Sequence, residues 1–397
     1  MEKRKKIAFV LGIRPDIIRA ALILKYLKQS TAVETLLVWS GQHYSDNLKD
    51  IFFRELGIPK PDYELGCKGD TDAEICASLI SRLYGLFAEI KPDACVFLGD
   101  TNTTTGSIAC MQLNIPIIHI EGCMRSYDWT MPEEKYRTMI DHVSDVIYAY
   151  FSEYKQQGIN EGINPNNIVV VDNPIVDILN TFYFSHKDKF DAMATEDFFR
   201  SRNLERGEYY VMTCHRRENV HDRVAMDNIL KLVAAAEKLV YFPASYRTQK
   251  VLKEENYTIP KNMILVDPVG YEELLCLMVN AIGVITDSGT LVEESCVLGI
   301  PCIQMRQSTE RPQVYDVHSA VKFNPRSPTE LKHPEFIKKL NSLVGTKWKH
   351  PFGDGKTSER IANDLIKRAE SGTFRGHKKE QYHFSVDRSY MNDSIKI

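Results

Sequence analysis

The chain has 397 residues, 43% hydrophobic and 26% charged, a composition that excludes disorder and suffices for two cores of roughly 150–200 residues each. A formal net charge of −3 leaves no basic field for a nucleic-acid partner, and the runs at Lys3–Lys6 and Lys378–Lys379 read as solvated ends. Nine cysteines are scattered without a CxxC pair, Cys95 and Cys302 inside apolar runs, which argues against a disulfide frame or zinc site and for a reducing, cytoplasmic setting.

The first apolar run, Ile7–Ile13, is too short to span a membrane and gives way to Arg14, Asp16 and Arg19, so it predicts a strand feeding a helix. Further β-rich runs begin at Glu34, Asp93, Ile115, Asp145 and Asn167, with helical patterns over Asp72–Ile90 and Pro132–Val143. A charged, polar segment, Phe182–Gly207, separates these from a second series beginning at Tyr209, Lys238, Met263, Ala281 and Ile300. Continuous apolar strands alternating with helices predict parallel sheets covered on both faces. The reading is an α/β chain of two Rossmann-like domains, residues 1–178 and 179–355, with a polar tail at 372–397.

Ligands of such sheets bind beyond the carboxyl ends of the strands, so the residues just after each run hold the chemistry. Gly12-Ile13-Arg14-Pro15-Asp16 is not a GxGxxG fingerprint; Arg14 reads either as a phosphate ligand beside a helix start or as a surface pair with Asp16. Asp100 and Glu121 follow the next two core strands, and Glu133 and Glu134 open a helix. Asp100 also suits a helix cap, and the two glutamates suit the helix dipole, but Glu121 follows "PIIHI" and needs a buried partner. As a set, the acids converge on one cleft. In "TCHRREN" one arginine suits a pair with Glu218, and His215 reads equally as a diphosphate ligand or a core histidine. Ser288-Gly289-Thr290 opens a helix whose free N–H groups suit a phosphate, with Glu294 one turn on as an acceptor for ribose hydroxyls; a plain capping turn is the alternative.

Nine segments in order, "GIRPDIIRAA", "SGQHYSDNL", "LGDTNTTT", "HIEGCMRS", "MPEEKYR", "HRREN", "TDSGTLVEE", "STERPQV" and "PFGDGKTSERI", resemble the non-hydrolysing UDP-N-acetylglucosamine 2-epimerases. The resemblance implies a glycosyltransferase-B-like pair of Rossmann domains facing across a cleft, a homodimer, and no metal or nicotinamide. It also implies a C-terminal helix, about 356–371, that packs back on the first domain. It assigns acid–base roles to Asp100, Glu121 and Glu133, with His215 beside the diphosphate. UDP contacts fall on Arg14, His215, Tyr271 (at the uracil), Ser288, Gly289, Glu294 and Arg311, and sugar-side candidates on Arg125, Arg137, Gln42 and His43. The implied reaction inverts C2 of a UDP-N-acetylhexosamine, such as UDP-GlcNAc to UDP-ManNAc, for cell-surface polysaccharide precursors. A glycosyltransferase on the same fold is the competing activity.

The chain departs from the usual pattern in three places. Gly122-Cys123 stands where an Ala-Gly pair is common, Gly289-Thr290 replaces a Gly-Gly, and Ser245 replaces a histidine that contacts an allosteric UDP-GlcNAc in many bacterial members. "SYRTQK" and the short "WTMPEE" resemble the branch acting on modified sugars, including UDP-2,3-diacetamido-glucuronate and 6-deoxy-hexosamines.

Overall fold

A computed structural model describes residues 4–41, 50–327 and 332–377. Seven parallel strands form the first sheet: β1 (Lys5–Leu11), β2 (Val33–Trp39), β3 (Tyr63–Glu64), β4 (Ala94–Leu98), β5 (Ile117–Ile120), β6 (Val146–Ala149) and β7 (Ile168–Val170), in the order β3-β2-β1-β4-β5-β6-β7. Six more form the second: β8 (Tyr209–Thr213), β9 (Leu239–Pro243), β10 (Met263–Val266), β11 (Gly283–Thr286), β12 (Cys302–Met305) and β13 (Ala320–Phe323), in the order β10-β9-β8-β11-β12-β13. Each order reverses beside its first strand, β1 against β4 and β8 against β11. That reversal is the switch point at which such sheets open a crevice.

The strands alternate their side chains between two cores, as a period of two requires. In β1, Ile7, Phe9 and Leu11 face one core while Ala8 and Val10 face another. The first of these cores is continuous across the molecule: it includes Ile17 and Ile178 from helices and Val211 and Val284 from the second sheet. The domains therefore share apolar packing on one side and leave the crevice on the other.

Local chemistry sets the helix limits. Thr71 and Glu74 cap helix Asp72–Ile90 reciprocally, and Lys91 ends it in a left-handed conformation. Pro132 begins helix Pro132–Val143, with Glu133 and Glu134 in its first turn. Helix Thr357–Ser371 lies on helix Arg14–Leu27. It is pinned where Asp177 accepts the Ser358 N–H at 2.6 Å and the Tyr148 hydroxyl donates to Asp364 at 2.7 Å.

Three features differ from the sequence reading. β3 and β13 appear as short additional strands, and the charged separator folds into helices Lys187–Met193 and Glu196–Arg200. The start of the expected polar tail is docked: Phe374 is buried, and the N–H groups of Gly376 and His377 donate to Asp145 and Asn167.

Candidate active site

The crevice gathers the residues that follow β1, β4 and β5 of one sheet and β8, β11 and β12 of the other. Glu121 lies at its centre, buried, with φ at +74°. Its Oε1 accepts from Arg137 at 2.9 Å and from Arg311 at 2.8 Å, and its Oε2 from the Tyr150 hydroxyl at 3.2 Å and from Arg19. Arg137 also pairs with Asp100 at 2.7 Å, so one guanidinium joins two of the expected acids.

Glu133, at the start of helix Pro132–Val143, is half-buried. Burial raises its carboxyl above the ordinary range and Asp100 adds to this, while Arg216 opposes it. A carboxyl with raised affinity for its proton suits acid–base work near neutral pH. Glu134 plays a different part, accepting from Ser126 N–H and Oγ, both at 2.9 Å, and from Tyr127 N–H at 3.0 Å, which ties down the preceding loop.

The second sheet contributes a helix start and the guanidinium of Arg311. Ser288 caps helix Gly289–Leu298 by accepting from Leu291 N–H at 3.3 Å, leaving the N–H groups ahead of it, at the positive end of the helix dipole, outside the helical bonding pattern. Gly289 has no side chain to block Arg311, whose guanidinium lies 2.5–2.6 Å from where a Cβ would stand. Burial alone would make Arg311 less basic, but Glu293 and Glu310 beside it hold its charge firmly. Arg19 crosses from the first domain and donates to Thr290 Oγ1 at 3.0 Å and to Glu293 at 3.1 Å.

His215 is half-exposed on the crevice wall, its Nδ1 3.2 Å from the buried carboxylate of Asp287. Desolvation by the surrounding protein lowers its pKa; Arg216 and Arg14 lower it further, and Asp287 opposes them. The ring thus faces the crevice as a hydrogen-bonding group backed by Asp287. Asp287 also accepts the backbone N–H groups of His215 and Arg216, which fixes this loop.

Tyr271 and Glu294 are both buried, and the Tyr271 hydroxyl donates to Glu294 at 2.8 Å. Burial pushes Glu294 up to about 7, against the pull of Tyr271, Arg19 and Arg14. Arg14 opens helix Arg14–Leu27; burial makes its guanidinium less basic, and Glu294 partly restores it. Asp16 is no surface partner for Arg14: it is buried and accepts the N–H groups of Gly12 and Ile13 at 3.0 and 3.1 Å. Its carboxyl is raised to about 7 by burial.

The expected residues Arg14, Asp100, Glu121, Glu133, Arg137, His215, Tyr271, Ser288, Gly289, Glu294 and Arg311 all belong to the elements around this crevice. Arg125 does not join the acids. Its guanidinium is buried and spent on Asp141 at 2.7 Å, Glu161 at 2.6 and 2.9 Å and the Met124 carbonyl at 2.8 Å. Gln42 and His43 lie outside the described residues. Of the arginines after β8, Arg216 sits 3.7 Å from Glu218, whereas Arg217 reaches across to Asp72 at 2.9 Å. Sequence reasoning passed over Arg19, Tyr150, Glu293 and Asp287. Arg19 had a usable signal, a charge inside the otherwise apolar "IIRAALIL".

Next to the start of helix Pro132–Val143 the domains border a half-open cavity of roughly 360 Å³, lined by Met131 and Pro132 on one side and by Arg217, Glu218 and Arg306 on the other. Among the described residues no group of His, Cys, Asp and Glu is arranged to hold a metal ion. The polar groups instead form an acid cluster facing an anion-type cradle, an arrangement suited to moving a proton while a phosphate leaves.

The chain is similar in sequence and fold to known proteins. A family profile described as UDP-N-acetylglucosamine 2-epimerase matches residues 25–366. A Methanocaldococcus jannaschii protein named UDP-N-acetylglucosamine 2-epimerase is 35% identical over 372 residues, 91% of this chain and 98% of that one. The crystal structure of the M. jannaschii UDP-GlcNAc 2-epimerase in complex with UDP-GlcNAc and UDP superposes with a TM-score of 0.82 at 33% identity, covering 91% of this chain and 99% of its own. A Pseudomonas aeruginosa UDP-2,3-diacetamido-2,3-dideoxy-D-glucuronate 2-epimerase is 31% identical over 312 residues, 77% of this chain and 84% of that one.

Proposed function

The chain belongs to the UDP-N-acetylglucosamine 2-epimerase family, and from that premise we propose that it is an isomerase inverting C2 of a UDP-N-acetylhexosamine, with UDP-GlcNAc and UDP-ManNAc as the pair it interconverts. One observation carries the reading. Asp100 and Glu121 of the first domain share Arg137, and Glu121 also accepts from Arg311 of the second, whose guanidinium lies against Gly289 at the Ser288 helix start.

The C2–H of the sugar has no adjacent carbonyl, so removing it directly is prohibitive. Breaking the C1–O bond, with the electron pair leaving on UDP, builds positive charge at C1 and makes that proton acidic. A carboxylate then takes it, giving 2-acetamidoglucal and bound UDP. Return of a proton to the opposite face, with re-addition of UDP to C1, inverts C2. The N–H groups at Gly289 and Thr290, the Arg14 and Arg311 guanidiniums and the His215 ring stabilise the leaving diphosphate. Tyr271 and Glu294 hold the uridine, Tyr271 at the base and Glu294 at the ribose hydroxyls. Glu133 is the proton carrier on one face, its affinity for a proton raised by burial. Asp100 and Glu121 serve the other, coupled through Arg137. Shutting the crevice keeps water from the glucal.

The competing glycosyltransferase needs an acceptor; the epimerase does not. Incubation with UDP-GlcNAc in D2O is expected to place deuterium at C2 of the recovered sugar nucleotide and to yield the C2 epimer by NMR. The same assay with the diacetamido uronate and a 6-deoxy-hexosamine ranks the substrates, and absence of exchange with every one of them overturns the reading.

The protein acts as a homodimer through the outer face of helix Asp72–Ile90, where Ala73, Ala77, Tyr84 and Ala88 stand exposed. Light scattering after gel filtration tests this, with Tyr84→Arg expected to give monomer. No helix of the described residues is long and apolar enough to cross a membrane, and all nine cysteines are free. Free thiols fit a cytoplasmic setting, where precursors for cell-surface polysaccharides are made.

A further inference from the structure

Behind the acids lies a buried charge chain that none of the chemistry above uses. His119 is on β5, two residues before Glu121, and is fully buried; Asp141, on helix Pro132–Val143, is 1% exposed. His119 Nδ1 is 2.7 Å from Asp141 Oδ1, and its Nε2 is 2.8 Å from the Gly99 carbonyl oxygen, immediately before Asp100. Asp141 Oδ2 accepts the Cys123 N–H at 2.9 Å, two residues after Glu121, and Arg125 at 2.7 Å. Arg125 continues to Glu161, which His142 approaches at 3.6 Å on the outer side.

We propose that His119 and Asp141 form a buried imidazolium–carboxylate pair that positions the two acid-bearing loops, those of Asp100 and Glu121. Two arguments lead there. A carbonyl oxygen can only accept, and Asp141 already accepts from two N–H groups on its other oxygen, so each ring nitrogen of His119 faces an acceptor and must carry a proton. The charges agree: His119 and Arg125 stand against Asp141 and, at the outer end of the chain, the partly exposed Glu161. Burial would raise the Asp141 carboxyl, but His119 and Arg125 hold it below the ordinary range. The thiol of Cys123, the other titratable group against Asp141, is pushed up by burial and stays neutral.

Gly122 makes room for the pair. A Cβ there would stand 2.7 Å from Asp141 Oδ1 and 3.1 Å from His119 Nδ1, as well as 2.3 Å from Ile147 Cγ2. The glycine that departs from the common Ala-Gly pattern is thus the residue that lets the ion pair close beneath the site. The pair is needed because Glu121 and Cys123 both hold positive φ, +74° and +64°, which relaxed L-residues avoid. One ion pair, bonded to Gly99 on one loop and Cys123 on the other, fixes the spacing of Asp100 and Glu121.

This inference rests on reading those two acids as the catalytic pair, and its test separates the two claims. NMR of the full chain labelled with 15N-histidine is expected to show protons on both His119 ring nitrogens at neutral pH; a bare ring nitrogen overturns the pair without any activity measurement. Asp141→Asn and His119→Gln should lower kcat about 100-fold, the scale of a small misplacement of reacting groups. KM and UDP affinity should stay within about threefold, because the nucleotide contacts are untouched. Wild-type kcat in both variants, with Glu121→Gln inactive in parallel, overturns the positioning role alone. Full turnover in Glu121→Gln overturns the catalytic reading instead.

Discussion

At the scale of single residues, the crevice stores charge that no isolated side chain would tolerate. Arg19, Arg137, Arg311 and Tyr150 all donate to Glu121, whose backbone sits in a region costing roughly 1–2 kcal/mol for an L-residue. Glu121→Gln keeps the shape and removes the anion. It is expected to reduce C2 exchange by about 10²–10⁴-fold, the range of a lost acid–base group, with UDP still bound, as NMR exchange and calorimetry would show. Asp16 gives a second residue-scale prediction through pH. Its folded carboxyl titrates at about 7, so the folded chain keeps a proton that the unfolded chain loses at the ordinary carboxylate pH. The folded state binds more protons across that interval, so this group makes stability fall as pH rises towards 7. Asp16→Asn keeps an acceptor for Gly12 and Ile13 but cannot ionise. Its Tm relative to the parent should therefore increase between about pH 4 and pH 7 and level off above, by thermal denaturation at each pH.

At the scale of elements, legibility followed how local each signal was. Helices Asp72–Ile90 and Pro132–Val143 could be bounded from sequence because their limits are set by neighbours: the Thr71–Glu74 capping box and the proline at the first position. β13 was not legible, since Ala320–Phe323 is half-exposed at a sheet edge and lacks an apolar run, and β3 is only Tyr63–Glu64. Strand-end acids stood out because a charge after "FLG" or "IIHI" is conspicuous. Glu293 and Asp141 did not, because their meaning lies in partners remote in sequence; Arg19 stood out as a charge in an apolar helix, but its partner Thr290 lies far along the chain. The packing of Arg125 was hidden for the same reason: its partners Asp141 and Glu161 come from later segments. The Ser288 helix start yields an element-scale test. Gly289→Ala would place a methyl within 2.5–2.6 Å of the Arg311 guanidinium and swing it off the helix start and Glu121. UDP affinity should drop about tenfold, or ~1.4 kcal/mol, by calorimetry, with little change in helix content by circular dichroism.

At the scale of the whole molecule, two kinds of ion pair bridge the domains, and they are unequal. Arg217 to Asp72 is solvent-exposed, an ion pair of a type worth roughly 0–1 kcal/mol. Arg19 to Glu293 and Arg311 to Glu121 are buried, and removing one partner of such a pair leaves a charge stranded, at a cost of about 3–5 kcal/mol. Closure is therefore governed from inside the crevice, by the groups assigned to the diphosphate and the sugar, rather than by the rim. Arg19→Met preserves the length of the side chain on helix Arg14–Leu27 but strips Glu121 and Glu293 of a common cation. The relief open to those carboxylates is water, which enters only if the domains part. Small-angle scattering should then give a larger radius of gyration for Arg19→Met than for the parent, together with loss of C2 exchange. Arg217→Met, which cuts only the exposed bridge, should leave the radius of gyration unchanged. Equal dimensions for Arg19→Met and the parent would mean that the apolar core shared by both sheets, not the buried ion pairs, holds the crevice shut.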